Sequence, residues 1–163
     1  MVFVALGSDP AQGTNPGDVI NRWLQALRAK SAAQFEKTTT IPFTFLTTNH
    51  PKHRPCDGTA KDEKRRTQMF ACLVNDEEGL INELASFEFE GEPDFMSQFD
   101  LKPFDPKHSD ERADLRRRAR PLVKPGDSLF HFQIVGSGIV YYFVIALRGD
   151  RVSGVAMDVT FYD

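Results

Sequence analysis

The 163-residue chain has no apolar run near the length of about 20 that a bilayer-crossing helix needs. Its start, Met1-Val2-Phe3-Val4-Ala5-Leu6, is apolar. It has no basic stretch before it and ends at Gly7-Ser8-Asp9, too short for a signal-peptide core. No internal repeat or low-complexity segment is visible, so a solenoid or an extended linker is not expected. The net charge is only -3, which leaves no global field to draw the chain to nucleic acid or an anionic membrane. Trp (one) and Tyr (three) are scarce, whereas Phe (fourteen) is not, so Phe rings are expected to fill the core. That length suits one domain spanning 1–163, with residues 1–14 as an N-terminal tail, able to bury roughly 70% of its unfolded surface.

Periodicity supplies the elements. Ile20, Trp23, Leu24 and Leu27 follow the spacing of one buried helix face. Asn15 reads as its N-cap, with Pro16 at the first helical position and Asp18 in the first turn. Ser31 caps a short second helical turn that carries Phe35. From Thr38 to Thr48 the period becomes that of a strand, with Ile41, Phe43 and Phe45 alternating, and Pro42 confines it to an edge or a strand start. Asn49–Lys61 reads as a polar loop. Helices are expected near Asp62–Leu73, near Asp76–Ala85 and after Ser109, whereas Ser86–Pro106 resists assignment.

The last third is the clearest. Ser128–Val135, Ile139–Leu147 and Arg151–Phe161 are β-rich runs joined by Gly136-Ser137-Gly138 and Gly149-Asp150, hence two consecutive hairpins. A three-residue first loop and a two-residue second loop place Phe130, Phe132, Ile134, Val140, Tyr142, Val144, Ala146, Val155, Met157 and Val159 on one apolar face beneath the helices. The other face then collects Leu129, His131, Gln133, Val135, Ile139, Tyr141, Phe143, Ile145, Ala156 and Asp158. It is greasy enough to predict homodimerisation through this outer face. A one-residue slip in the first loop would reassign the whole second strand.

Cys56 in a Pro/Gly loop and Cys72 near a helix end, with no third cysteine, fit a disulfide tying loop to helix. It would contribute on the order of 3 kcal/mol and favour an extracytoplasmic, periplasmic or secreted location. Two free thiols in a cytoplasmic protein are the alternative. His50, His53, Cys56 and Cys72 could in principle surround Zn²⁺, but Pro51 and Pro55 interrupt the run, so no metal or other cofactor is assigned. Arg116, Arg117, Arg118, Arg120 and Lys124 spread around a helix that Asp110, Glu111 and Asp114 precede, without interleaved aromatics. This reads as a solvated helix end, with an adaptor for an acidic partner as an alternative and no nucleic-acid binding. His131, Tyr141 and Asp158 share a face in the trial register and are the candidate acid–base group.

The helix leading through Leu27-Arg28-Ala29-Lys30-Ser31-Ala32-Ala33-Gln34-Phe35 into Ile41-Pro42-Phe43, the central helices, and the terminal hairpins closing on Gly149-Asp150-Arg151-Val152-Ser153-Gly154-Val155 together resemble the nuclear transport factor 2-like superfamily. The likeness is one of pattern over most of the chain. It implies an α+β fold, the cystatin-like cone, in which a curved antiparallel sheet wraps an N-terminal helix and ends in a three-stranded meander. Members include ketosteroid isomerases, SnoaL-type cyclases and transport factors. The isomerase-type site implies a Tyr on the first helix and inward carboxylates; this first helix has no Tyr, and the proposed inner face has no carboxylate. The reading is therefore a non-catalytic domain holding a small apolar ligand against Trp23, Phe130, Phe132, Tyr142 and Met157. The alternative is a small-molecule isomerase or cyclase using His131, Tyr141 or Asp158.

Overall fold

The computed structural model describes residues 15–48, 56–75, 101–105, 107, 116, 117, 119–136 and 138–162. The apolar start at Met1, His50 and His53, the helix expected at 76–85, residues 86–100 of the unassigned stretch, the helix start at Ser109 and Arg118 lie outside them.

Helix α1 (Pro16–Arg28) starts as its sequence dictates. Asn15 Oδ1 accepts from Gly17 N at 2.9 Å, Pro16 fills the first turn, and Asp18 faces the positive end of the helix dipole. Its buried stripe is Val19, Ile20, Trp23, Leu24, Ala26 and Leu27. Lys30, at φ 50°, breaks the helix, and Ser31 caps α2 (Ala32–Thr38) by accepting from Gln34 N. Strand β1 (Thr39–Thr48) follows α2 directly. Helix α3 (Glu63–Asn75) begins under Asp62, whose side chain accepts from Arg65 N at 2.8 Å. The buried Arg66 of α3 donates to the carbonyls of Glu36 and Thr39, where its charge meets the negative end of α2.

The remaining elements are strands β2 (Gly58–Ala60), β3 (Lys102–Pro103), β4 (Ser128–Gly136), β5 (Ile139–Arg148) and β6 (Arg151–Phe161). The sheet order is β2-β1-β6-β5-β4-β3. The chain is thus an α+β protein in which helices cover one side of a curved, unclosed sheet and β4–β6 form the expected meander. One pairing departs from a wholly antiparallel sheet: β1 runs parallel to β6. Pro42 falls where that ladder shifts register, between Thr39 and Thr44, so its missing N–H interrupts no regular pairing.

Both hairpins are present, but the first is tighter than expected. Gly136 pairs with Ile139, so two residues rather than three separate the strands. Gly138 supplies the positive φ (74°) that such a turn needs. The second loop is Gly149-Asp150 as expected, with Arg148 opposite Arg151. An additional residue then enters β6: Leu147 pairs with Val152 but Ala146 with Gly154, leaving Ser153 as a bulge. These two one-residue differences act in opposite senses. The faces of β4 and β6 are as expected relative to each other, and only β5 is turned over. Phe130, Ile145, Val155 and Phe45 form one inner row, and Phe132, Phe143, Met157 and Thr47 the next; Ile134, Tyr141 and Val159 make a third. Val140, Tyr142, Val144 and Ala146, expected inside, face outward; Ile139, Tyr141, Phe143 and Ile145, expected outside, face α1 and the main core.

Asp127 pins the bulge. Its carboxylate, 1% exposed, accepts from Ser153 Oγ at 2.8 Å and from Arg148 Nε at 2.7 Å, while Ser153 Oγ also reaches the Ala146 carbonyl. Asp127→Ala removes an ionised acceptor from two strands. A loss of about 2 kcal/mol in urea-unfolding stability is expected; no change would mean the bulge holds without it.

The outer face is partly covered by the chain itself. Phe104, Ala119 and Leu122, the last from the 3₁₀ turn Arg120–Leu122, pack on Val144, Ala146 and Ala156, with Leu46, Leu129 and Tyr142 around them. Gly154 is the socket: a Cβ there would sit 2.6 Å from Leu122 Cδ2 and 3.4 Å from the Thr44 carbonyl. Gly154→Ala is expected to cost about 1 kcal/mol, since Leu122 must shift to admit the methyl. Thermal unfolding with Ala156→Gly as a comparison reads it.

Candidate functional site

Two surfaces of the sheet carry the residues singled out by sequence. On the inner side, α1 packs against β5 and β6. Trp23 from the helix, Phe132 and Met157 from the sheet are buried there, and Phe130 is half-buried against the same cluster. Phe132 stacks on Phe143 with ring centroids 4.9 Å apart. Tyr142, expected among them, is on the opposite face, because the shorter first loop rotates β5 by one residue. Tyr141 occupies the inner position instead.

The buried inward-facing positions of β4, β5 and β6 are Phe, Ile, Leu, Val and Met, with Tyr141 as the one ionisable side chain among them. Two polar atoms interrupt this surface. The Tyr141 hydroxyl and Trp23 Nε1 are both buried, with no hydrogen-bond partner among the described residues. Each residue is 0% exposed, so bulk water does not meet them either. Buried polar groups in folded proteins are nearly always satisfied, and leaving one unmet costs about 1–3 kcal/mol. Reading the sequence placed Trp23 here but not Tyr141. Only the length of the first hairpin loop separates the two orientations of β5, and Gly136-Ser137-Gly138 is compatible with both.

On the outer side the expected trio His131, Tyr141 and Asp158 does not assemble, because Tyr141 points the other way. Asp158 is 1% exposed, and its cross-strand neighbour is Tyr142. His131 lies on β4 in the row of Val144 and Ala156, two strands and one row from Asp158. Two strand spacings alone amount to about 10 Å. The Phe104 ring meets the His131 imidazole edge-on at 5.7 Å.

Cys56 and Cys72 are joined in a disulfide with Cα atoms 5.6 Å apart. Neither is therefore a thiolate available as a nucleophile or a zinc ligand. The linkage joins the segment before β2 to α3, and the adjoining Asp57 accepts from both the amide and the hydroxyl of Thr47, gripping β1. Among the described residues no helix is long and apolar enough to cross a membrane, and no cluster of three or more His, Cys, Asp or Glu side chains could hold a metal ion.

No family model matches the chain, and no curated protein matches it. Among solved structures it is similar to a crystal structure from Rhodopseudomonas palustris described as a "putative isomerase", at 6% identity and a TM-score of 0.41, over 88% of this chain and 90% of that one.

Proposed function

We propose that this chain is a single domain of the nuclear transport factor 2-like type that binds a small, largely apolar molecule between α1 and the sheet, without chemistry of its own. The observation that carries the reading is the inner surface itself. Among the described residues, every buried inward position of β4–β6 is apolar apart from Tyr141, and none of these positions carries a carboxylate to move a proton. An isomerase of the ketosteroid type needs such a base. The disulfide supports an extracytoplasmic setting. Pairing with a second copy is part of the same reading. Val135 on the outer face is 63% exposed, and Phe161 and Tyr162 are exposed at the same end of the sheet. Sedimentation at increasing concentration tests that part.

The binding itself is tested by native mass spectrometry of the protein purified from its own source, and by titration with apolar probes while following the emission of Trp23, the single Trp. A copurified small molecule, or a saturable change in emission, supports the reading. No binding by any apolar probe removes it.

One observation favours a second reading, an enzyme working on the outer face: Tyr142 stands next to the buried carboxylate of Asp158. It replaces the sequence-derived trio with a pair. Turnover of an enolisable ketone abolished by Asp158→Asn would support it.

A further inference from the structure

Residues 116–124 include Arg116, Arg117, Arg118, Arg120 and Lys124 and no acid, on a chain whose net charge is -3. The fold does not leave this segment loose. Ala119 and Leu122 are buried against the outer face of the sheet, with Leu122 seated over Gly154. The backbone is helical at Arg116, Arg117 and Ala119 and 3₁₀ at Arg120–Leu122, so residues three apart share a side. Arg116 precedes the inward pair Ala119 and Leu122 at that spacing, and its Nε is buried with no hydrogen-bond partner among the described residues. The neighbouring row, Arg117, Arg120 and Val123, is exposed, and Val123 is 49% so. Among the described residues no carboxylate forms an ion pair with Arg116, Arg120 or Lys124. Asp127, just beyond the segment, is committed to Arg148 and Ser153. Cations fixed this close together repel one another, and a buried guanidinium nitrogen without an acceptor adds to the cost. A complementary anion relieves both.

From this we infer that residues 116–124 form a docking strip for an acidic, extended segment of another protein, with carboxylates at alternate positions followed by an apolar side chain. Alternate side chains of an extended chain stand about 7 Å apart on one side, close to the spacing of about 5–6 Å that separates Arg117 from Arg120. Guanidinium groups take carboxylates in planar, two-pronged pairs, and Val123 gives an apolar side chain a place beside them. A nucleic acid fits less well. The segment has no aromatic residue to stack on a base, and the net charge of the chain opposes a phosphate backbone. The strip lies across the sheet from α1, so it stands apart from the ligand reading above.

The test follows the fluorescence anisotropy of a labelled peptide with the pattern Glu-Ser-Glu-Ser-Leu, repeated twice, as the intact chain is added. A twin with glutamine for glutamate and a thymidine oligonucleotide of similar length are run beside it. The native protein is expected to bind the glutamate peptide about 10-fold more tightly than its twin at low salt, and raising salt from about 50 to about 300 mM should remove most of that difference. Arg120→Glu is expected to weaken the glutamate peptide about 10-fold, whereas Arg120→Lys, which keeps the charge, should cost less than about 3-fold. Arg120 is exposed, so both variants should unfold within about 2 °C of the native midpoint. Lys124→Glu repeats the measurement at a second cation of the strip. Equal binding of the two peptides would overturn the inference, and so would absent binding. Tighter binding of the oligonucleotide than of the glutamate peptide would overturn it in favour of a phosphate-binding surface. Native-like peptide binding by Arg120→Glu and Lys124→Glu would place the contact elsewhere on the molecule and overturn it as well.

Discussion

Phe143→Ala is expected to lower unfolding stability by about 3–5 kcal/mol, near the top of the range for a single core truncation. Phe143 is fully buried, stacks on Phe132, and sits in the row that joins β4, β5 and β6 to β1. Urea unfolding followed by Trp23 emission measures the loss. Gln133→Ala, on the exposed outer side of β4, is the control and should stay within about 0.5 kcal/mol. The comparison bears directly on the register. With a three-residue first loop Phe143 would look outward, away from Phe132 and against the smaller layer of Phe104 and Leu122, and its truncation would cost less. A loss below about 1 kcal/mol would take Phe143 out of the main core, and Tyr141 with it.

Removing the disulfide is expected to have the next largest effect. Cys56→Ala with Cys72→Ala opens a loop with a sequence separation of 16, worth about 3 kcal/mol, or on the order of 10 °C in thermal midpoint. The loss should be felt locally first. Cys56 anchors the segment to α3, whereas Asp57 and the β2 ladder anchor it to β1, so releasing the first leaves it held by β1 alone. Faster amide exchange at Thr47 than at Val155 in the double variant would display that order. A double variant as stable as the native protein would show that the contacts with β1 suffice. Thiol titration of the unfolded native chain, with and without reductant, establishes whether the bond is present as the protein is isolated.

Much of the fold was legible because local chemistry and long-range packing agree. Asn15, Pro16 and the Ile20–Leu27 stripe specify α1, and the structure uses each of them as expected. The Gly149-Asp150 turn and the Cys56–Cys72 pair were equally plain. The edge strands β2 and β3 were not, since three and two residues are too few to display a period. The face of β5 failed for a different reason. Val140 through Leu147 are apolar at every position, because main-core residues cover one side and Phe104 with Leu122 cover the other. A strand buried on both faces loses the alternation that would reveal its orientation. Only the loop length could decide it, and Gly136-Ser137-Gly138 fits two lengths equally well. Likewise, the bulge at Ser153 depends on Asp127, which lies 26 residues earlier and leaves no local mark. The candidate site inherited both ambiguities: Tyr141 and Tyr142 exchanged places.

The parallel pairing of β1 with β6 has a bearing on how the molecule is made. β1 ends at Thr48, yet its partner on that side is Arg151–Phe161. Phe43 and Phe45 therefore leave the ribosome about 100 residues before the strand that completes their row, several seconds at ordinary rates of synthesis. Closing so large a loop is slow compared with forming hairpins. Throughout that interval the nascent N-terminal half presents an unzipped strand edge beside an uncovered Trp23 helix, the kind of surface that holdase chaperones recognise. Assembly of the native sheet accordingly waits for β6 to emerge.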